Sequence, residues 1–488
     1  MRLDGALSIA AGGLANVNRQ MAIVSQNVAN ANTPGYAAEI ATQTSVTADG
    51  QGLGVHSGPA IRNLDTMLQG ELFSQNATVA GLQTRQTALQ AIDAVQGTPG
   101  QGSDIASLLG QLQNQFSALL NDPSNAPQQS QVVSTAATLA QGINTLSDAY
   151  TTQRQTAQDN IVGEVTTLNS TLGTIGGLST KIIELKASGQ STADLENQRD
   201  AAVAKLSQLV DIKALQQPNG DELISTTAGL LLPTRGTDNP FTTSGSNVQP
   251  GAYYPKGGIE GIMLGGTDVT SQLRGGQIGA NITLRDVTLP TDQAELDEFA
   301  QNLSSQFAAT GLKLFTEPDG TLPANSPPPA QQGYVGFAGT IQVNPDVVKT
   351  PSLVRDGTPS VNVNKLAGFT DVIKAVLNQT FGNTLVSTVS GLGPAGNLNA
   401  PYVAPSTLGQ LASTMVASQA QESAATTTQA DTELAVQSTL ASKLSAQSGV
   451  NMDNEMSRMI ELQNAYGANA RVIATIQSMW TQLLQAVQ

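Results

Sequence analysis

Cysteine is absent from this sequence of 488 residues, which excludes disulfide bonds, thiolate metal ligands and cysteine nucleophiles. Charged residues make up only 12% of the chain, about half of the usual ~25%. The net charge is −15, so the basic surface that binds nucleic acid is missing. No apolar run of about 18 residues occurs, and we expect no membrane insertion. Surfaces that are polar yet weakly charged are expected where a chain packs against neighbouring subunits.

Sequence motifs for chemistry are also missing. The one histidine, His56, lies in the glycine-rich stretch GVHSGPA without a nucleophile-elbow sequence, and one imidazole cannot form a metal site by itself. There is no phosphate-binding loop and no EF-hand loop, and the carboxylates are scattered. We therefore predict a protein that is not an enzyme, with no catalytic, cofactor-binding or metal-binding residues.

The N-terminal segment has the apolar spacing of a coiled-coil helix. Its apolar residues follow one another at alternating steps of four and three, which is a heptad pattern. This pattern predicts an assembly seam made of Leu3, Leu7, Ala10, Leu14, Val17, Met21, Val24 and Val28.

A turn motif should end this helix near residues 30–32. Pro34 disfavours helical geometry at Thr33, and the order Thr33-Pro34-Gly35-Tyr36 suits a type II turn with proline second and glycine third. Together with Asn32, these residues are predicted to redirect the chain.

The last forty residues repeat the heptad pattern, and Asn451 or Asp453 can cap the start of this helix. A methionine stripe at helical spacing is more typical of a core than of a metal site. The predicted C-terminal seam consists of Met452, Met456, Met459, Tyr466, Ile473, Trp480 and Leu484. The two seams either pack on separate cores or pair with each other.

Proline divides the interior of the chain. Residues 128–217 and 406–488 contain none, and both stretches are predicted to be long helices, with a break at Gly176-Gly177. A hairpin is predicted around residues 218–221, and a helix capped by Asp292 and Glu295 lies further on.

We therefore expect an α+β multidomain fold, with terminal coiled-coil helices and a long helical rod built from both chain ends. The predicted domains are a terminal coiled-coil domain (1–50 plus 450–488), a helical rod (51–210 plus 365–449) and an inserted β-rich domain (211–364).

The two ends resemble a known family. The stretch SQNVANANTPGYAAE (25–39) resembles the N-terminal signature of the rod, hook and hook-associated proteins of the bacterial flagellum, and residues 450–484 resemble their C-terminal signature. Within that family, residues 194–221 and 273–307 resemble the hook-associated protein 1 branch, which forms the hook–filament junction. The chain is identified as a member of this family.

This resemblance implies a structural subunit exported by the flagellar type III apparatus and located outside the cell. Its partners would be copies of itself in a ring, hook protein below and the second hook–filament junction protein above. A flagellar export chaperone would bind the C-terminal helix. Two alternatives stay open: a hook or distal rod protein of the same family, and a secreted enzyme carrying flagellar-type ends.

Overall fold

The structure is a computed structural model that describes residues 3–48, 51–236, 239–324, 331–358, 360–382 and 385–487. Helices dominate these residues, and five of the helices exceed 25 residues in length. The helices are α1 (Leu3–Asn30), α2 (Thr66–Gln96), α3 (Ile105–Asn121), α4 (Ala126–Ala187), α5 (Ala193–Leu209), α6 (Gly276–Thr283), α7 (Leu289–Ala309), α8 (Pro345–Lys349), α9 (Leu353–Asp356), α10 (Asp371–Ala375), α11 (Leu408–Ser448) and α12 (Met452–Val487).

The strands of the described residues are short and form five antiparallel pairs and one three-stranded sheet. The pairs are β1–β4, β2–β3, β5–β6, β10–β11 and β12–β13, and the three-stranded sheet has the order β7-β8-β9. The strand bounds are β1 (Glu39–Ile40), β2 (Gln43–Ala48), β3 (Gln51–Ser57), β4 (Ile61–Arg62), β5 (Ile212–Gln216), β6 (Glu222–Thr226), β7 (Phe241–Thr242), β8 (Met263–Leu264), β9 (Thr267–Asp268), β10 (Phe315–Thr316), β11 (Gln342–Val343), β12 (Ser390–Leu392) and β13 (Leu398–Asn399).

The long helices begin at side-chain caps. Asp65 accepts hydrogen bonds from the backbone N–H groups of Met67 and Leu68 at the start of α2. Asn125 caps α4 through the N–H of Gln128, and Thr407 caps α11. These side chains satisfy N–H groups that have no partner inside the helix. The predicted proline-free helices are confirmed in α4, α5 and α11, and the predicted hairpin at 218–221 is confirmed by the pairing of β5 with β6.

The predicted break at Gly176-Gly177 is wrong, because α4 continues through both glycines for 62 residues in all. Gly176 is needed for close packing instead. A Cβ atom at this position would lie 1.7 Å from the carbonyl oxygen of Thr234, whereas a Cβ at Gly177 would meet nothing within 4 Å. The absent side chain lets the loop after β6 pass directly over the helix.

Two hydrophobic cores hold the helical body together. The larger joins Phe116 of α3, Leu139 of α4, Phe299 of α7 and Met415 of α11, all fully buried. The second lies among α4, α5, α6 and the β5–β6 hairpin. Since α7 belongs to the same core as α4 and α11, residues 211–364 pack against the helical body, and their division into a separate β-rich domain stays a prediction. Their strands are short, and their longest elements are helices.

The expected capping role of Asp292 and Glu295 is also wrong. The helix begins at Leu289, continuing α6 through a π-helical turn, so both carboxyl groups lie inside α7 and are buried. They face Gln419 and Glu422 of α11, Tyr150 of α4, and Tyr402. Arg85, the nearby cation, pairs with Glu422 at 2.8 Å. Burial therefore raises the pKa of Asp292 well above its usual range and that of Glu295 to about 8.

This cluster predicts that the helical body is more stable in mild acid than at alkaline pH. In the folded chain Glu295 keeps its proton up to about pH 8, and burial also favours the protonated form of Asp292, whereas in the unfolded chain both groups lose their protons near pH 4. The stability that comes from protonation is complete below pH ~4 and is lost as pH rises through about 8. We expect the free energy of unfolding to fall by roughly 3–4 kcal/mol between pH 5 and pH 8, measured by denaturant titration.

The variant Glu295→Gln should reduce this dependence and unfold at a higher denaturant concentration than the wild type at pH 8. Glu184→Gln is the matched control, because Glu184 is exposed on α4. An unchanged slope of stability against pH in Glu295→Gln would contradict the prediction.

Candidate assembly interface at the terminal helices

The first and last helices lie side by side and antiparallel. Asn27 contacts Glu455 near one end of the pair, and Gly13 lies against Asn469 further along. These two contacts are equally far apart along both helices, so the register is constant. A small apolar cluster lies between the two helices. It contains Val17, Val24 and Leu462, and around them Met21, Val28, Met459 and Ala465 are partly buried.

The side chain of Asn27 is the polar centre of this unit and is fully buried. Its Nδ2 donates to the carbonyl oxygen of Glu39 (2.9 Å) and to Oε1 of Glu455 (3.2 Å). Its Oδ1 accepts from the N–H of Glu39 (2.9 Å) and from the hydroxyl of Tyr36 (3.1 Å). One amide thus joins α1, the segment after the turn, and the start of α12.

A second asparagine fastens the turn to the helical body. Asn197 of α5 donates to the carbonyl oxygen of Ala37 (3.1 Å) and accepts from the N–H of Ala37 (3.2 Å). Beside it, Arg62 of β4 pairs with Glu196 (2.9 Å) and Asp200 (2.6 Å), with its side chain only 6% exposed. These contacts fix the direction in which the terminal helix pair leaves α5.

Burial also shifts the ionisation of the groups around Asn27. It raises the pKa of Glu39, and the negative charge of Asp194 raises it further. Burial likewise raises the pKa of the Tyr36 hydroxyl. One oxygen of Glu39 and one of Glu455 have no hydrogen-bond partner among the described residues. The polar centre therefore contains more acceptor oxygens than donors.

The turn forms as predicted. The N–H of Tyr36 donates to the carbonyl oxygen of Thr33 at 3.2 Å, and Gly35 has a φ of 77°. A positive φ at the third position is the feature that requires glycine in a type II turn. Asn32, Thr33, Pro34 and Gly35 are exposed, while Tyr36 is half-buried. α1 ends at Asn30, and Asn451 caps α12 through the N–H of Asn454.

The predicted N-terminal seam lies largely between the two helices. Val17 and Val24 are buried, Met21 and Val28 are partly buried against them, and Ala10 is also buried. Leu7 and Leu14 are half-buried. The side chain of Leu3 lies outside the described residues.

Only part of the predicted C-terminal seam packs against α1. Met459 joins the apolar cluster and Ile473 is half-buried, whereas the other five residues are exposed, and their role in assembly stays a prediction. The buried residues of α12 are instead Glu455, Leu462 and Ile476. Met452, Met456, Tyr466, Trp480 and Leu484 are each at least 40% exposed. α12 therefore has two faces. The face that contains Glu455, Leu462 and Ala465 packs against α1, where Glu455 accepts a hydrogen bond from Asn27.

The hydrogen-bonding residues Asn27, Asn197 and Glu455 were missed as functional positions. On the sequence, Asn27 and Glu455 are polar residues next to apolar seams, and nothing in their spacing separates them from solvent-facing positions. Their place within the two terminal signatures was the available signal. Asn197 lies in the middle of a helix, where asparagine is intrinsically unfavourable, and this was a second signal.

His56 is exposed on β3 and pairs with Thr44 of β2. Across the described residues there is no group of three histidine, aspartate or glutamate side chains that could hold a metal ion. None of the described helices is both long and apolar enough to cross a bilayer.

Three family models match the chain, in the order N-terminal, middle and C-terminal. They are "Flagella basal body rod protein" over residues 7–36, "Flagellar hook-associated protein FlgK helical domain" over residues 89–316, and "Flagellar basal body rod FlgEFG protein C-terminal" over residues 442–486. Together they cover more than half of the chain. The first match covers most of α1 and the turn, the third covers the end of α11 and most of α12, and the second contains α3 to α7.

One curated relative is flagellar hook-associated protein 1 of Bacillus subtilis (strain 168), which is 23% identical over 497 aligned positions covering 93% of this chain and 92% of the relative. A solved structure, the flagellar hook junction protein FlgK from Burkholderia pseudomallei, is similar with 23% identity and a TM-score of 0.42. That match covers 52% of this chain and 46% of the solved chain.

Proposed function

We propose that this chain, which belongs to the flagellar hook-associated protein 1 family, is a structural subunit of the bacterial flagellum that forms the junction between hook and filament. It is not an enzyme, because the family is structural. The observation that carries this function is the FlgK helical domain over residues 89–316, between two rod-type ends. A hook or distal rod protein would share those ends but would lack the helices α4 and α5 in this position, so that alternative is not favoured.

Electron microscopy of cells that lack this gene tests the function. We expect bare hooks without filaments and flagellin released into the medium, because filament subunits would have no junction on which to assemble. Missing hooks would instead assign the protein to the rod or hook, and normal flagella would contradict the proposal. A strain with the gene restored on a plasmid is the control.

The partners follow from the same proposal. Copies of the chain form a ring, with hook protein below and the second hook–filament junction protein above. The outward stripe of α12 supports such contacts, since Met452, Met456, Tyr466, Trp480 and Leu484 are exposed in the single chain and large exposed apolar surfaces mark interaction sites. These five residues of α12 form the proposed assembly face, whereas the N-terminal seam packs against α12 within the chain.

We also propose that the chain is exported by the flagellar type III apparatus to the outside of the cell. An export chaperone covers the same stripe of α12 before assembly. Removing residues 450–488 should abolish binding to the chaperone, measured by titration calorimetry with the full chain as control. Equal affinity of the truncated and full chains would exclude this segment.

The domain division is likewise a proposal. We retain 1–50 plus 450–488 as the terminal domain, since α1 and α12 pair with each other. The body is divided into 51–210 plus 365–449 and the insertion 211–364. Limited proteolysis should cut first between the terminal domain and the body; a first cut within the body would contradict this division.

The terminal pair should be only marginally stable in the free subunit. Its apolar cluster has three buried residues, and burying each gains about 1.5–3 kcal/mol, whereas ordering a residue costs about 1.5 kcal/mol. We expect the amides of 1–30 and 452–488 to exchange rapidly in the monomer and slowly in assembled junctions. Hydrogen exchange read by mass spectrometry measures both, with α4 as the internal control. Slow exchange in the monomer would contradict the expectation.

A further inference from the structure

An uncharged groove lies where the terminal helix pair joins the body. It is about 640 Å³ in volume and is lined by the turn and by the end of α11. Its apolar members are Pro34, Tyr36, Leu64, Leu72, Leu444 and Val450, and the small residues Ala441 and Ser442 of α11 form one wall. None of the described residues that line it carries a charge. The groove therefore suits an apolar, uncharged segment.

An uncharged helix end lies at the opposite end of the same pair. The constant register between α1 and α12 places Leu3 opposite Met479, so residues 480–487 extend beyond the described end of α1. Trp480, Leu483 and Leu484 on this tip are 41%, 54% and 60% exposed. From residue 472 to the C-terminus the sequence has no charged side chain. Exposure of these apolar side chains to water is unfavourable, so burying them in a contact would be stabilising.

The chain cannot place its own tip in its own groove. α12 is a continuous helix of 36 residues, and at ~1.5 Å per residue its ends are about 54 Å apart. Its first turn lies next to the groove, where Val450 is part of the lining. A helix tip of this kind can therefore reach the groove only from another copy of the chain.

The geometry points to a head-to-tail contact between copies of this chain, in which the tip of α12 (residues 480–487) of one copy occupies the groove formed by the turn and the end of α11 in the next. Neither surface presents a charged side chain, so no side-chain ion has to lose its hydration on docking. A contact between two different surfaces of the same chain repeats, and it generates a closed ring or a helical array. The inference rests on the proposed function, which brings copies of the chain together.

Cysteine cross-linking tests the contact without background from this chain, because the chain contains no cysteine. The variant Ser442→Cys/Leu484→Cys carries one thiol in the groove and one on the tip, at two exposed positions. Hook–filament structures isolated from cells that produce this full-length variant are oxidised and separated without reductant. We expect a ladder of covalently linked copies. Ser442→Cys and Leu484→Cys as single variants should each give monomer.

The matched control is Ser413→Cys/Leu484→Cys, in which the first thiol is exposed on α11 far from the groove; it should give no ladder. Intact filaments and the presence of the chain in the isolated structures report the proposed function separately. Absence of the ladder in structures that contain the chain would overturn the contact. Cross-linking of Ser442→Cys to a different flagellar protein would overturn it as well, since the groove would then have another occupant.

Discussion

Cells whose only copy of this protein carries Asn27→Ala are expected to bear hooks with few or no filaments. The substitution removes four hydrogen bonds, which join α1 to Tyr36, Glu39 and Glu455. It leaves the N–H and the carbonyl of Glu39 buried without partners. A buried polar group that loses its partner costs about 1–3 kcal/mol, so we expect a total cost of about 3 kcal/mol, or roughly a 100-fold lower population of the paired ends.

Counting filaments per cell by electron microscopy measures this effect. Asn32→Ala is the matched control, because Asn32 is exposed in the same turn motif and its loss should leave filaments normal. Tyr36→Phe removes one of the four bonds and should give an intermediate count. Filament numbers equal to wild type in Asn27→Ala, with the protein present at normal level, would show that the amide does not hold the ends together.

The variant Gly176→Ala is expected to destabilise the helical body by about 3 kcal/mol or more. The new Cβ would lie 1.7 Å from the carbonyl oxygen of Thr234 and 2.8 Å from its carbonyl carbon, so backbone must move. Thr234 follows Leu232, which is buried in the second core and donates its N–H to Ile224 of β6. Moving this segment disturbs the packing of that core, and such overpacking costs typically ~1–3 kcal/mol and sometimes more.

Gly177→Ala is the matched control on the same helix. A Cβ there meets nothing within 4 Å, and replacing glycine with alanine inside a helix stabilises it by about 1 kcal/mol. Adjacent substitutions of the same kind should therefore shift the denaturant midpoint in opposite directions. Equal midpoints for the two variants would mean that the close approach of Thr234 to α4 has no energetic consequence.

The C-terminal seam shows where prediction from sequence fails. The spacing of Met452, Met456 and Trp480 is helical, and α12 is a helix throughout. Spacing predicts that a helix has an apolar face, but it does not say which molecule covers that face. α1 covers Glu455, Leu462 and Ile476 instead, because the hydrogen bond from Asn27 to Glu455 fixes the rotation of α12. The outward stripe is then available to other chains.

The sequence by itself determined the elements and the family. Heptad spacing, the absence of proline and the turn at Thr33–Tyr36 are local features, and local backbone preferences are enough to read them. Only the tertiary structure decided that Gly176 makes room for a carbonyl rather than breaking a helix, and that Asp292 and Glu295 are buried rather than capping. These properties depend on which distant segments meet, and a polar or small residue looks the same in sequence whether its neighbour is solvent or another part of the chain.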